Sequence, residues 1–134
     1  MTSRFLAVGI GCRSGVAGAV IAELIETALE RAAEPTLPVA LFTVLDKQSE
    51  AGIAEAAVRL GFPLVHLPRV ALETVADRVE TRSEKVVELF GVPSIAEGSA
   101  LAGAGANGRL VVPRMAERGA TVAIAVSGEG GGTP

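Results

Sequence analysis

The chain has 134 residues, 49% of them apolar, and a formal net charge of −3. That length suits one domain with a substantial core, and the apolar share excludes a disordered chain. The acidic balance gives no general attraction to nucleic acid or anionic membranes, and without tryptophan or tyrosine there is little on which bases could stack.

Residues Phe5–Ile10 predict a first strand, apolar throughout. The glycine-dense stretch V-G-I-G-C-R-S-G (Val8–Gly15) reads as a turn into a helix over about Ala17–Ala32, whose Val20, Ile21, Leu24, Ile25, Ala28 and Leu29 share one face. Pro35 and Pro38 precede a second strand, Val39–Val44. Ser49 is the expected N-cap of a helix over about Glu50–Leu60, closed by Gly61. A third strand, Leu64–Leu67, leads to Pro68, which opens a helical segment turning Leu72, Val75 and Val79 inward. Thr81–Glu84 and Ser94–Glu97 both match a capping box, the first for a short helix ending at Gly91. Two strands close the chain, Leu110–Val112 and Thr121–Val126. The link Pro113–Gly119 is too short for a helical crossover, so they form an antiparallel hairpin. Residues 127–134 form a glycine-rich tail expected to be disordered, leaving residues 1–126 as a single domain.

This alternation predicts a three-layer α/β/α sandwich with a mostly parallel sheet of about five strands and an antiparallel C-terminal hairpin. Ligands of such sheets bind beside the carboxyl ends of strands. The loops Gly11–Val16 and Leu45–Ser49 should meet there. No apolar run reaches the ~20 residues that span a bilayer, and one cysteine with one histidine supplies neither an internal disulfide nor a usual zinc site. A reducing cytoplasm fits these counts, and no metal or cofactor is implied.

Gly9, Gly11 and Gly15 miss the spacing of a dinucleotide fingerprint, with Ser14 where its third glycine belongs; Val16 and Ala17 exclude a phosphate loop. Two readings stay open. The glycines either allow only a tight turn, or they present backbone N–H groups at a helix N-terminus to an anion, beside Arg13 and Ser14. Cys12 is either a small residue that fits or a thiol activated by that helix end. His66, among apolar neighbours, reads as structural, and Arg109 and Arg114 as exposed. Thr43, Asp46, Lys47 and Glu50 cluster after the second strand, either as a solvated turn or with Lys47 holding a carboxylate that Thr43 or Asp46 orients. Glu97 is explained as the reciprocal partner of Ser94 in a cap.

Together G-I-G-C-R-S-G (Gly9–Gly15), T-V-L-D-K-Q-S-E-A-G (Thr43–Gly52), V-P-S-I-A-E (Val92–Glu97) and the closing L-V-V-P…G-A-T-V-A-I-A resemble the CobE/CbiG C-terminal family of cobalamin biosynthesis. One departure is Leu45, where members commonly carry an acid; here Asp46 stands one place later. The resemblance implies a role in building the corrin ring, and it is nearest to the stand-alone form found with the aerobic route rather than to lactone-opening proteins with an added N-terminal region. The implied ligand is a precorrin or corrin intermediate, a large, partly apolar macrocycle bearing many carboxylates. Gly9, Gly11, Cys12, Arg13, Ser14, Gly15, Thr43, Asp46, Lys47, Glu50, Ser94 and Glu97 are its expected contacts. Two alternatives accompany carriage of that ligand: an enzyme, such as a lactone hydrolase using Asp46, Glu50 or Glu97 to activate water, and a stimulatory partner of other enzymes of the pathway.

Overall fold

Strand β1 (Leu6–Cys12) is buried along its whole length, and its side chains alternate in size. Leu6, Val8, Ile10 and Cys12 enter one apolar cluster with Ile21, Leu24 and Ile25 of α1 (Gly18–Ala32) and Ile53 and Ala56 of α2 (Ala51–Leu60). Ala7 enters a second cluster on the opposite face with Ala96, Ala100 and Leu101 of α5 (Ala96–Ala104). Period-two alternation thus places large residues toward α1 and α2 and small ones toward α5. The coordinates are a computed structural model that describes residues 4–128.

β1 pairs in parallel with β2 (Val39–Val44), and β2 with β3 (Leu64–Leu67). On its other side β1 pairs antiparallel with β5 (Ala120–Val126), which carries β4 (Arg109–Glu117) at the sheet edge. The order is β3-β2-β1-β5-β4, with β5 alone reversed among the described strands. α3 (Arg69–Thr74) joins α5 on the second face, and α4 (Glu84–Phe90) leads toward it. The expected three-layer sandwich with a mostly parallel sheet and a terminal hairpin is the fold observed.

Several local expectations change. The first strand runs to Cys12, so Gly9 and Gly11 are strand residues and the loop proper spans residues 13–17. Period two in A-V-G-I-G-C marks a strand face, where glycine density alone suggested a turn. The link Pro113–Gly119 is mostly strand: β4 bulges between Leu110 and Met115, accommodates Pro113 at the sheet edge, and turns through Arg118 (φ 45°) and Gly119 (φ 89°). Two successive positive φ angles are what a two-residue type I′ hairpin demands. Glu50, rather than Ser49, occupies the N-cap of α2, without a side-chain cap bond. In Thr81–Glu84 the cap is Ser83, whose hydroxyl accepts from Val86 N. Ser127, assigned to the tail, is buried and bonded to Phe5 through both backbone and hydroxyl. The rest of the expected tail, residues 129–134, lies outside the described residues.

Candidate functional site

At the carboxyl end of β1 a cavity of about 620 Å³ opens between the β4–β5 turn, α4 and the segment entering α5. Its floor includes Gly11, Cys12, Ser94 and Ile95, and Val86, Leu89 and Phe90 of α4 supply an apolar wall. Arg13, Lys47, Lys85, Arg114 and Arg118 line it against, among the described residues, a single carboxylate, Glu117. A chain of net negative charge therefore places five of its twelve lysines and arginines around one opening. Opposed to the apolar wall, they suit a ligand that is anionic at its edge and apolar at its body.

Local structure sets each of these positions. The 3-10 turn Leu45–Lys47 at the end of β2 carries Lys47 to β1, where its ammonium donates to the Cys12 carbonyl at 2.7 Å. The same ammonium lies 5.3 Å from the Phe90 ring centroid, and the Arg69 guanidinium 5.6 Å from it. Arg13 N donates to the Gly119 carbonyl (2.9 Å), which fastens the loop after β1 to the hairpin turn. Arg118 donates to Glu23 at 2.9 Å, so it is partly engaged with α1. Gly11 underlies the cavity with no room for a methyl: a Cβ there would stand 2.7 Å from the Thr121 hydroxyl.

The two loops expected to converge do so, and Arg13 and Lys47 line one cavity. Of the other expected contacts, Gly11, Cys12 and Ser94 line it too, whereas the rest are placed elsewhere. Gly9 lies beneath α5, where a Cβ would meet Ala96 O at 1.9 Å. Ser14 is exposed on the loop, away from the lining. Gly15 N donates to Glu50 (3.0 Å) and Gly18 N to Glu55 (3.2 Å), so carboxylates of α2 and its cap occupy the anion site foreseen at the start of α1. Thr43 is fully buried and donates to the Ile10 carbonyl at 2.7 Å. Asp46 pairs with Arg69 at 2.5 Å.

Glu97 departs most from expectation. Ser94 Oγ accepts from Glu97 N (3.0 Å), giving half of a capping box, but the carboxylate does not return to Ser94. One oxygen accepts from Glu80 N and Thr81 N and the other from Arg114 N, each at 2.8 Å. Burial pushes this carboxyl up, yet those backbone donors, with the Thr81 side chain, bring it below the usual range. Cys12 moves the other way. It ends a strand rather than opening a helix, and burial raises its thiol despite Lys47, with Glu50 adding to the rise.

The α4 wall, Arg114 and Arg118 went unread as site residues. Arg114 is half-buried rather than exposed, because β4 extends past Pro113 and delivers it to the cavity. Arg109 is exposed and His66 half-buried on the edge strand β3; neither lines the cavity. Among the described residues no cluster of metal-ligating side chains occurs, and no helix is long and apolar enough to cross a membrane.

The architecture is that of a three-layer α/β domain with a cationic cavity at the carboxyl edge of its sheet. A family model described as cobalamin synthesis G C-terminus matches residues 6–125, and the chain belongs to that family of cobalamin-biosynthesis proteins. Protein CobE from Sinorhizobium sp is 32% identical over 121 residues, covering 90% of this chain and 79% of the relative. The crystal structure of CobE, a protein from the cobalamin (vitamin B12) biosynthetic pathway, superposes with a TM-score of 0.85 at 27% identity, covering 93% of this chain and 92% of that one. Cobalamin biosynthesis protein chiG from Agrobacterium tumefaciens str. C58 is 39% identical, with a TM-score of 0.68 over 92% of this chain and 99% of that one.

Proposed function

We propose that this protein binds a precorrin or corrin intermediate of cobalamin synthesis, in the cytoplasm, as a carrier or accessory to the enzymes that act on it. The observation that carries this reading is the ring of five cations and one carboxylate around an apolar-walled cavity of about 620 Å³. Arg13, Lys47, Lys85 and Arg114 meet the peripheral carboxylates, and Val86, Phe90 and Ile95 lie against the ring. The volume falls in the ~300–1,000 Å³ range of small-molecule sites. The cavity accepts one edge of the macrocycle and leaves the remainder in solvent, an arrangement suited to handing the molecule on. A free thiol at Cys12 fits a reducing compartment.

The hydrolytic reading has less support. Asp46, Glu50 and Glu97 are each engaged with protein donors, and none lines the cavity. Titration with a late polycarboxylate corrin intermediate tests the proposal. Expected are a shift in the ligand's absorbance, co-elution with the protein, and about five- to tenfold weaker binding for Lys47→Ala and for Arg114→Ala, as for a lost charge-assisted contact at a partly exposed site. Unchanged absorbance with no co-elution overturns it.

A further inference from the structure

We infer that Glu97 is a positioning residue for the cavity: its carboxylate ties the α4 wall to the β4 wall and so sets the width of the mouth. Glu97 is fully buried and outside the lining, so it acts through what it holds. One oxygen grips the backbone at Glu80 and Thr81, just before Ser83 and α4; the other grips the backbone of Arg114, itself a lining residue. Two walls far apart in sequence are thereby fastened to one side chain in the first turn of α5.

The α4 wall needs such a fastening. Glu84–Phe90 contains no fully buried side chain, and only Val86 and Phe90 pack, partly, against Val44, Leu72, Val92 and Ile95. Beyond Glu97, its base is secured by the bond from Ser83 N to the Pro93 carbonyl (2.9 Å), and its far end turns at Gly91 (φ 74°). A short helix so lightly packed opens as a local unit before the core does. The β4 wall is also irregular where Glu97 holds it: the ladder to β5 shifts register between Val112 and Met115, and Arg114 N is satisfied by the carboxylate. The inference rests on the binding reading only for what passes the mouth.

Glu97→Gln probes the tie with little change of shape. A glutamine offers one acceptor oxygen and an NH₂, so whichever way the amide turns, one wall's N–H faces another donor and is released. Hydrogen exchange of the unliganded protein is expected to rise at least about fivefold over residues 80–93 and 113–116 in Glu97→Gln, with α1 and β1 unchanged. Thr43→Val, a buried hydrogen-bond loss outside the site, should leave that pattern untouched. Release of uroporphyrin III, a polycarboxylate tetrapyrrole probe followed by fluorescence, should be several-fold faster from Glu97→Gln than from the wild type. A rise spread evenly over the molecule, no rise over residues 80–93, or equal release rates overturns the inference. If Glu97→Gln does not fold, exchange in the wild type decides: α4 amides must exchange at least about tenfold faster than those of 98–104, and equal rates refute a separately opening wall. Should uroporphyrin III bind neither protein, the binding reading falls for this probe, while the exchange pattern still decides the tie.

Discussion

Gly9→Ala separates two meanings of the glycine run. A glycine serving a ligand would lose binding on gaining a methyl and keep the fold's stability. In the structure the new Cβ would stand 1.9 Å from the Ala96 carbonyl oxygen and 2.5 Å from the Ala100 nitrogen. Both obstacles are main chain, so no rotamer change relieves them; α5 must retreat by roughly 1.5 Å to regain an ordinary contact of ~3.5 Å. That retreat loosens α5 from the sheet and disturbs Ser94 and Glu97 at its start. Overpacking of this kind costs about 3 kcal/mol, the upper end of the usual range. For a domain of this size, that lowers the melting temperature by roughly 10 °C. Urea and thermal unfolding followed by circular dichroism measure it directly. Gly15→Ala is the counterpart: its Cβ meets nothing within 4 Å and only a φ of +80° opposes it, so the cost is about 1 kcal/mol. A Gly9→Ala protein melting within about 2 °C of wild type would refute the packing argument.

The depressed carboxyl of Glu97 makes a signed pH prediction. Its ionised form stabilises the fold fully above the unfolded carboxyl value of ~4.3, and that contribution fades as pH falls through the lower folded value, so acid melting curves should fall more steeply for wild type than for Glu97→Gln. Cys12, raised by burial, should react slowly with iodoacetamide at neutral pH and speed up only in alkali; rapid labelling at pH 7 in the folded protein would contradict its placement. Thr43→Val should cost about 1 kcal/mol in unfolding free energy through loss of the bond to Ile10, with tetrapyrrole affinity unchanged.

The fold was largely legible because its elements carry strong local signals. β2 and β3 appear with the expected bounds, and Gly61 and Gly91 close their helices in the left-handed conformation. The cavity lining was legible only where it depends on chain-local features, at Gly11, Cys12, Arg13, Lys47 and Ser94. Glu97 matched a local motif so well that its long-range role was hidden: a capping box and a tertiary staple require the same residue at the same spacing. Glu50 and Asp46 were read as available, because nothing local announces that Gly15 or Arg69 will reach them. Pro113 stopped the reading of β4 early, since only the knowledge that β4 is an edge strand makes a proline there acceptable.

The reversed strand imposes an order on assembly. β1 is among the first segments of the chain, yet the partner on one of its sides is β5, more than a hundred residues later. During synthesis that flank stays open until the C-terminal hairpin arrives, a nonlocal closure of the kind that slows folding and leaves nascent chains prone to sticking. The cavity draws on Gly11–Arg13 near the first strand and on Arg114–Thr121 in the last two, so a polypeptide lacking the hairpin has no such cavity. Only a chain that has brought both of these regions together presents the whole cationic lining.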